Sequence, residues 1–116
     1  MKKINIVKKN LDFSRIIHNQ RKYKFEDYIV YIERNNEKTY RFGISVSKKI
    51  GNAVVRYKLK RQIKSIIDTK DYQNSFNCII ILKRGILNKS YKEMENNLLT
   101  AFSKLNIFKE DNSEKK

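Results

Sequence analysis

Residues 39–67 read TYRFGISVSKKIGNAVVRYKLKRQIKSII, and they determine most of the architecture. In the first part, residues 39–47, apolar side chains occupy the even positions from 40 to 46, and small or polar side chains occupy most of the odd ones. Successive side chains of a strand point to opposite faces, so this part predicts a strand with one core face and one polar face of low relief. Apolar residues then return every three or four positions, which predicts an amphipathic helix.

The predicted helix separates its apolar and charged side chains. Asn52 is its predicted N-cap, and Gly51 eases the sharp entry from the turn. The apolar side chains cover an arc of about 120°, the width expected for packing on a sheet; they are Val55, Leu59, Ile63, Ile66 and Ile67. The cations occupy the adjoining arc; they are Arg56, Lys58, Lys60, Arg61 and Lys64.

The charged residues of this region are all positive. Between Ser47 and Ile66 there are seven cations and no carboxylate. A fixed array of guanidinium and ammonium groups on one helix is typical of a surface that binds a polyanion. Arginine can fork two phosphate oxygens, whereas lysine acts as a point charge. Tyr57, within the array, could stack on a base or cover the edge of the core.

The composition of the whole chain points to the same class of partner. Lys and Arg number 27 against 12 Asp and Glu, a formal net charge of +15. Repulsion among so many positive charges destabilises a compact chain, and it is tolerated when a polyanionic partner neutralises the charges. A membrane-surface role is disfavoured, because the apolar residues are periodic and core-like rather than gathered on a lipid-binding face rich in Trp and Phe. We therefore take the partner to be RNA.

The length of 116 residues fits one domain, residues 1–116. Residues 1–9 are expected to form a basic arm that orders on binding, and residues 109–116 a disordered charged tail. The single cysteine, Cys78, lies in an apolar run, so we expect a buried core residue and a reducing compartment. No run approaches the roughly 18 apolar residues of a membrane span, and no signal-peptide core is visible, so the expected location is the cytoplasm without a membrane partner.

Three elements are predicted before and beside the basic helix. Asn10 can cap a first helix, whose inner face carries Phe13, Ile16 and Ile17. Residues 28–33 predict a strand, and the polar turn at residues 34–37 suggests that residues 39–47 return as the second strand of a hairpin.

Two elements follow the basic helix. Residues 76–82 contain a continuous apolar run, which is typical of a strand buried on both faces and predicts a βαβ crossover around the basic helix. Ser90 and Glu93 form a capping-box pattern, so a last helix is predicted to begin there.

Groups able to catalyse hydrolysis are sparse. The one histidine, His18, lies on the first predicted helix, where a packing or surface role is favoured. The acids are scattered, and no phosphate loop, Cys/His metal spacing or nucleophilic triad is recognisable. We therefore assign no catalytic residue and leave any protein metal ligand open.

The chain resembles the protein subunit of bacterial ribonuclease P, from about residue 8 to residue 108. The most specific part is residues 41–64, with Gly-hydrophobic-Ser-Val-Ser-Lys-Lys, then Gly-Asn-Ala-Val, then Arg-x-basic-x-Lys-Arg-x-x-basic. Asp12, Phe13 and Tyr31 also stand at positions where the family has these residues.

The resemblance implies an α+β fold: a two-layer α/β sandwich, ribosomal-protein-like, of order αβββαβα. It also implies a left-handed βαβ crossover, an exception to the usual right-handed rule. The third strand would be short and hidden within residues 39–47 or just before the basic helix.

The resemblance further implies a function and partners. The protein would bind ribonuclease P RNA and the 5′ leader of precursor tRNA. It would assist endonucleolytic removal of the leader, with the chemistry performed by the RNA subunit and Mg²⁺ bound mainly by that RNA. No protein oligomer would be required.

Two sets of site residues follow from the resemblance. The surface for the RNA subunit would comprise Lys48, Lys49, Asn52, Arg56, Lys58, Lys60, Arg61 and Lys64. The leader cleft, between the first helix and the sheet, would comprise Phe13, Ile17, Tyr31, Arg41 and Ser45. Two positions depart from the family pattern: its Arg-Asn-Arg triplet stands here as Arg56-Tyr57-Lys58, and its second aromatic on the first helix is Ile17.

Two alternatives remain at this point. A structural protein that binds ribosomal RNA could share the split βαβ core and the basic helix. A stand-alone nuclease is disfavoured by the sparse supply of histidine and acids.

Overall fold

The computed structural model describes residue 2 and residues 5–7, 10–18 and 21–109. Its elements, in chain order, are α1 (Asn10–His18), β1 (Lys22–Lys24), β2 (Tyr28–Arg34), β3 (Tyr40–Ser45), α2 (Ala53–Ile67), β4 (Phe76–Leu82), a 3₁₀ turn (Arg84–Asn88) and α3 (Tyr91–Leu105). The predicted order αβββαβα is confirmed. The predicted disordered tail lies outside the described residues, except for residue 109.

The sheet has the strand order β1-β2-β4-β3. β4 pairs antiparallel with β2 and parallel with β3. The predicted βαβ crossover is therefore confirmed, since α2 connects two parallel neighbours, and its handedness stays a prediction. The predicted hairpin between residues 28–33 and 39–47 is wrong, because β4 lies between these strands. The most apolar strand takes the centre, where both of its faces are buried.

The location predicted for the third strand is also wrong. The additional strand is β1, which pairs with β2 at the sheet edge and consists of Lys22, Tyr23 and Lys24, all exposed. A three-residue strand without buried side chains gives no hydrophobic alternation, so the sequence pattern missed it.

Two hydrophobic clusters lie on opposite faces of the sheet. On one face α2 and α3 form the helical layer of the sandwich, where Phe42 and Ile80 of the sheet join Ile63, Leu98 and Phe102 of the helices. On the other face the short α1 covers part of the sheet, and Ile16 packs with Tyr31 and Ile79. Cys78 is buried in the first cluster, as predicted, and burial raises the pKa of its thiol.

Both predicted helix caps are present. Asn52 Oδ1 accepts a hydrogen bond from Val55 N at 3.0 Å. Ser90 Oγ accepts a bond from Glu93 N at 3.1 Å, and Ser90 N donates to Glu93 Oε1 at 2.9 Å, which completes the capping box. These bonds fix where α2 and α3 begin.

Part of the predicted N-terminal arm lies against the sheet. Ile6 forms a parallel bridge with Phe42 of β3, and Val7 N donates to Phe42 O at 2.9 Å. Asn5 Nδ2 donates to Tyr40 O at 2.7 Å. Residues 5–7 thus lie along the outer edge of β3, because apolar side chains and an edge strand's unpaired backbone groups favour this addition. The arm's residues 1, 3, 4, 8 and 9 lie outside the described residues.

Candidate RNA-binding surfaces

The five cations of α2 lie in two rows. Arg56, Lys60 and Lys64 follow one another at four-residue spacing, are partly buried, and form the inner row, of which Lys60 and Lys64 lie beside β3. Lys58 and Arg61 are exposed and form the outer row. The buried residues of the helix are Leu59, Ile63, Ile66 and Ile67, so the predicted division into an apolar and a cationic arc is confirmed.

The α2 cations keep their charge for an external partner. Among the residues that the structure describes, no carboxylate forms a salt bridge with any of the five. The Nε of Arg56 is buried and has no described hydrogen-bond partner. An array of this kind is suited to contacting phosphates.

The turn before α2 extends the array. Lys48 and Lys49 are exposed, whereas the neighbouring Ile50 is buried and its N–H donates to Ser47 O at 3.1 Å. Asn52 is exposed, and its amide oxygen is used by the helix cap, so its amide nitrogen is the group available to a ligand. A β-carbon at Gly51 would lie 2.8 Å from Val55 Cγ1, which explains the glycine at this entry.

A cleft of about 440 Å³ lies between the β3 edge, α1 and α2. It contains two of the residues predicted for the leader cleft, Phe13 and Ser45, and two predicted for the RNA-subunit surface, Lys60 and Lys64. Its other lining residues are Ile6, Val7, Phe42, Gly43, Ile44 and Val46. Lys60 and Lys64 of the inner row therefore form a cationic wall of the cleft, and the two predicted surfaces are continuous.

Phe13 forms a second wall of the cleft. A β-carbon built on Gly43 would lie 2.6 Å from Phe13 Cζ, closer than non-bonded carbons approach. The ring therefore rests against the backbone of β3, and glycine at position 43 makes this contact possible.

The other three residues predicted for the cleft do not line it. Tyr31 is 8% exposed and packs with Ile16 and Ile79, because α1 lies over this part of β2. Ile17 packs against the same cluster. Arg41 forms an ion pair with Glu37, whose pKa is lowered mainly by the hydrogen bond from Arg41. The structure thus gives Tyr31 and Ile17 a packing role between α1 and the sheet.

A polar network fixes α1 on the sheet. Arg15 Nη1 donates to both carboxylate oxygens of Glu33 at 2.7 Å. Asn77 Nδ2 donates to Glu33 Oε2 at 2.8 Å. Glu33 is buried, and two partners satisfy its carboxylate, so this pair holds the helix that carries Phe13.

The chain is similar to proteins of known family and structure. The family description "Ribonuclease P" matches residues 1–106. The ribonuclease P protein component of Mesoplasma florum is 34% identical over 110 residues, covering 90% of this chain and all of the relative. That of Streptococcus pneumoniae serotype 4 is 35% identical, covering 100% and 96%. The solved structure of Staphylococcus aureus RNase P protein matches with a TM-score of 0.82 and 30% identity, covering 90% of this chain and 98% of that one.

The chain belongs to the ribonuclease P protein family. The resemblance seen in the sequence is therefore confirmed, and the ribosomal alternative gains no support. The fold of the Staphylococcus aureus ribonuclease P protein also confirms the α+β architecture.

Sequence reasoning missed two basic residues that this ribonuclease P family member carries on β1. Lys22 and Lys24 pair with Tyr31 and Ile29, so both point to the face of the sheet that α1 partly covers. In the sequence Lys22 and Lys24 flank Tyr23, and this alternation was the pattern that could have indicated two lysines on one face of a strand. Ile6 and Val7 were also missed, because the N-terminal segment was treated as a separate arm.

Among the described residues, the side chains that could bind a metal or catalyse hydrolysis are dispersed. In the described ranges, no three His, Cys, Asp or Glu residues come together as a possible metal-binding group. His18 is exposed, and its Nδ1 lies 2.6 Å from Ser14 O on the same helix. None of the described helices is long and apolar enough to span a membrane.

Proposed function

We propose that this protein is the subunit of ribonuclease P that binds the catalytic RNA and the 5′ leader of precursor tRNA. It would assist Mg²⁺-dependent removal of the leader, with the RNA subunit performing the phosphodiester hydrolysis. The observation that carries the proposal is the array of five cations on α2, none paired with a described carboxylate. Family membership supports ribonuclease P RNA as the partner.

The geometry supports a division of labour along α2. The outer row, together with Lys48, Lys49 and Asn52, faces away from the cleft and is suited to the folded RNA subunit. Lys60 and Lys64 of the inner row line the cleft, where Phe13 offers an aromatic surface. Cations and an aromatic ring that line one cleft suit the binding of a single strand, since phosphates contact the cations and a base stacks on the ring.

Mg²⁺ would be held mainly by the RNA. On the sheet face under α1, the carboxylate of Glu33 is taken up by Arg15 and Asn77. Glu37 is likewise engaged by Arg41. The contribution of the protein would be electrostatic: its cations neutralise phosphates where two RNA strands approach each other, so less Mg²⁺ is needed for the same affinity.

Two further features complete the proposal. Both surfaces lie on one protomer, so no protein oligomer is required for the cleft or the array. The proposed location is the cytoplasm.

Reconstitution tests the proposal. A bacterial ribonuclease P RNA is incubated at low Mg²⁺ with precursor tRNA carrying or lacking a 5′ leader extension, with and without the protein. The expected result is protein-stimulated cleavage at the mature 5′ end, with a larger gain in affinity for the substrate with the longer leader. Absence of stimulation, while the Staphylococcus aureus protein stimulates the same RNA, would contradict the proposal. Cleavage by the protein without RNA would favour the nuclease alternative.

A further inference from the structure

Tyr57 is an exposed aromatic residue within the cationic array. Its side chain is 65% exposed, so it does not cover the edge of the core. Val54, one helical turn earlier, is 76% exposed. The hydroxyl of Tyr57 has no hydrogen-bond partner among the described residues. Two neighbouring large apolar side chains thus stand in solvent on a helix whose other large apolar residues are buried or half-buried.

The surroundings of Tyr57 are cationic. The guanidinium carbon of Arg61 lies 5.8 Å from the centre of the ring, within the range of a cation–π contact. Lys58 follows directly in the sequence and is exposed. An aromatic ring with adjacent cations matches the chemistry of an unpaired nucleotide, whose base stacks on the ring while its phosphate contacts the cation. A protein partner would instead need an acidic patch for these cations.

We propose that Tyr57 stacks on an unpaired nucleobase of the RNA subunit, with Arg61 contacting a phosphate beside that base. This inference rests on the proposed function, since it names a contact within the RNA-subunit surface. It also assigns a role to the departure at position 57, where the family pattern has an asparagine.

Tyr57 lies beside Arg61 of the outer row of α2. It is absent from the cleft lining, which includes Lys60 and Lys64 of the same helix. A base bound by Tyr57 is therefore assigned to the RNA that covers the outer row rather than to the leader in the cleft.

The test compares Tyr57→Leu and Tyr57→Phe with the unchanged protein in binding a bacterial ribonuclease P RNA at fixed salt. Tyr57→Leu is expected to weaken binding by about 5- to 150-fold, the range for loss of one stacked base, whereas Tyr57→Phe retains affinity. The dependence of affinity on salt should be unchanged, because no charge is lost. Tyr23→Leu, at an exposed tyrosine on β1, is the matched control.

A second measurement locates the base. Ribonuclease P RNA substituted with 4-thiouridine is irradiated in the complex, and the crosslinked peptide is identified by mass spectrometry. A crosslink to the peptide containing Tyr57 supports the proposal. Unchanged affinity of the folded Tyr57→Leu protein would overturn the stacking contact alone. Failure of the unchanged protein to bind the RNA would overturn both this inference and the proposed function.

Discussion

The ring of Phe13 on α1 lies against the backbone of Gly43 on β3, in the space where a side chain at position 43 would begin. This contact joins the helix to the edge strand and forms one wall of the cleft. Position 43 therefore controls both the packing of α1 and the placement of the aromatic ring proposed to contact the leader.

Gly43→Ala is predicted to displace Phe13. The added methyl carbon would lie 2.6 Å from Phe13 Cζ, so the ring must move. Overpacking of this kind lowers the free energy of unfolding by about 1–3 kcal/mol, which urea titration would measure. Affinity for a precursor tRNA with a leader should fall, whereas affinity for a leaderless substrate should be retained.

The double variant with Phe13→Leu is the control for that prediction. The shorter side chain removes the ring atoms that the methyl group would meet, so the two losses of stability should be less than additive. Strict additivity would show that the contact between positions 13 and 43 does not couple them.

The sequence predicted those parts of the fold that depend on local pattern. The buried strand β4 and the two faces of α2 follow from periodicity, and the caps at Asn52 and Ser90 follow from side-chain chemistry. Strand pairing could not be predicted in this way. The polar turn after β2 is compatible with a hairpin between β2 and β3. Because both faces of β4 are buried, however, β4 lies between β2 and β3 and separates them.

The candidate site was predictable to a similar extent. The cations of α2 were found because they lie on a regular helix. Tyr31 was placed in the cleft because the family resemblance implied it, and the strand pattern of β2 does not show what covers each face. The position of α1, fixed by Arg15 and Glu33, decides that Tyr31 is buried while Phe13 lines the cleft.

The two rows of α2 are predicted to act on different RNAs. Lys58→Ala with Arg61→Ala should weaken binding of ribonuclease P RNA and reduce the slope of log affinity against log salt by roughly 1.5, for two lost phosphate contacts. Lys60→Ala with Lys64→Ala should chiefly reduce the gain in affinity that the leader provides, because both residues line the cleft.

The matched control for both pairs is Arg84→Ala with Lys104→Ala, which removes the same charge from exposed positions away from α2. If all three double variants reduce binding of the RNA subunit equally, net charge rather than position determines affinity, and the division between the two rows is refuted.

Asn52 is predicted to serve stability and RNA binding through different atoms. Asn52→Ala removes the acceptor for Val55 N and should lower the free energy of unfolding by about 1 kcal/mol. Asn52→Asp keeps an acceptor at the cap and should preserve stability, but its negative charge should weaken RNA binding. Urea titration and RNA affinity, measured on both variants, separate the roles. Equal loss of stability in the two variants would exclude the capping role.

Acid is predicted to weaken the start of α3. The pKa of Glu93 is lowered mainly by its hydrogen bond with the backbone of Ser90, then by that with the Ser90 side chain. Because the folded-state pKa is depressed, this stabilisation is present above the ordinary pKa of a glutamate and is lost as the pH falls through the lowered value. Glu93→Gln keeps the acceptor oxygen but does not titrate in this range, so its urea midpoint should fall less steeply than that of the unchanged protein between about pH 5 and pH 3. The control is Glu95→Gln, which neutralises a neighbouring acid outside the capping box; its urea midpoint should fall as steeply as that of the unchanged protein. Identical pH profiles for all three proteins would rule out the contribution of Glu93.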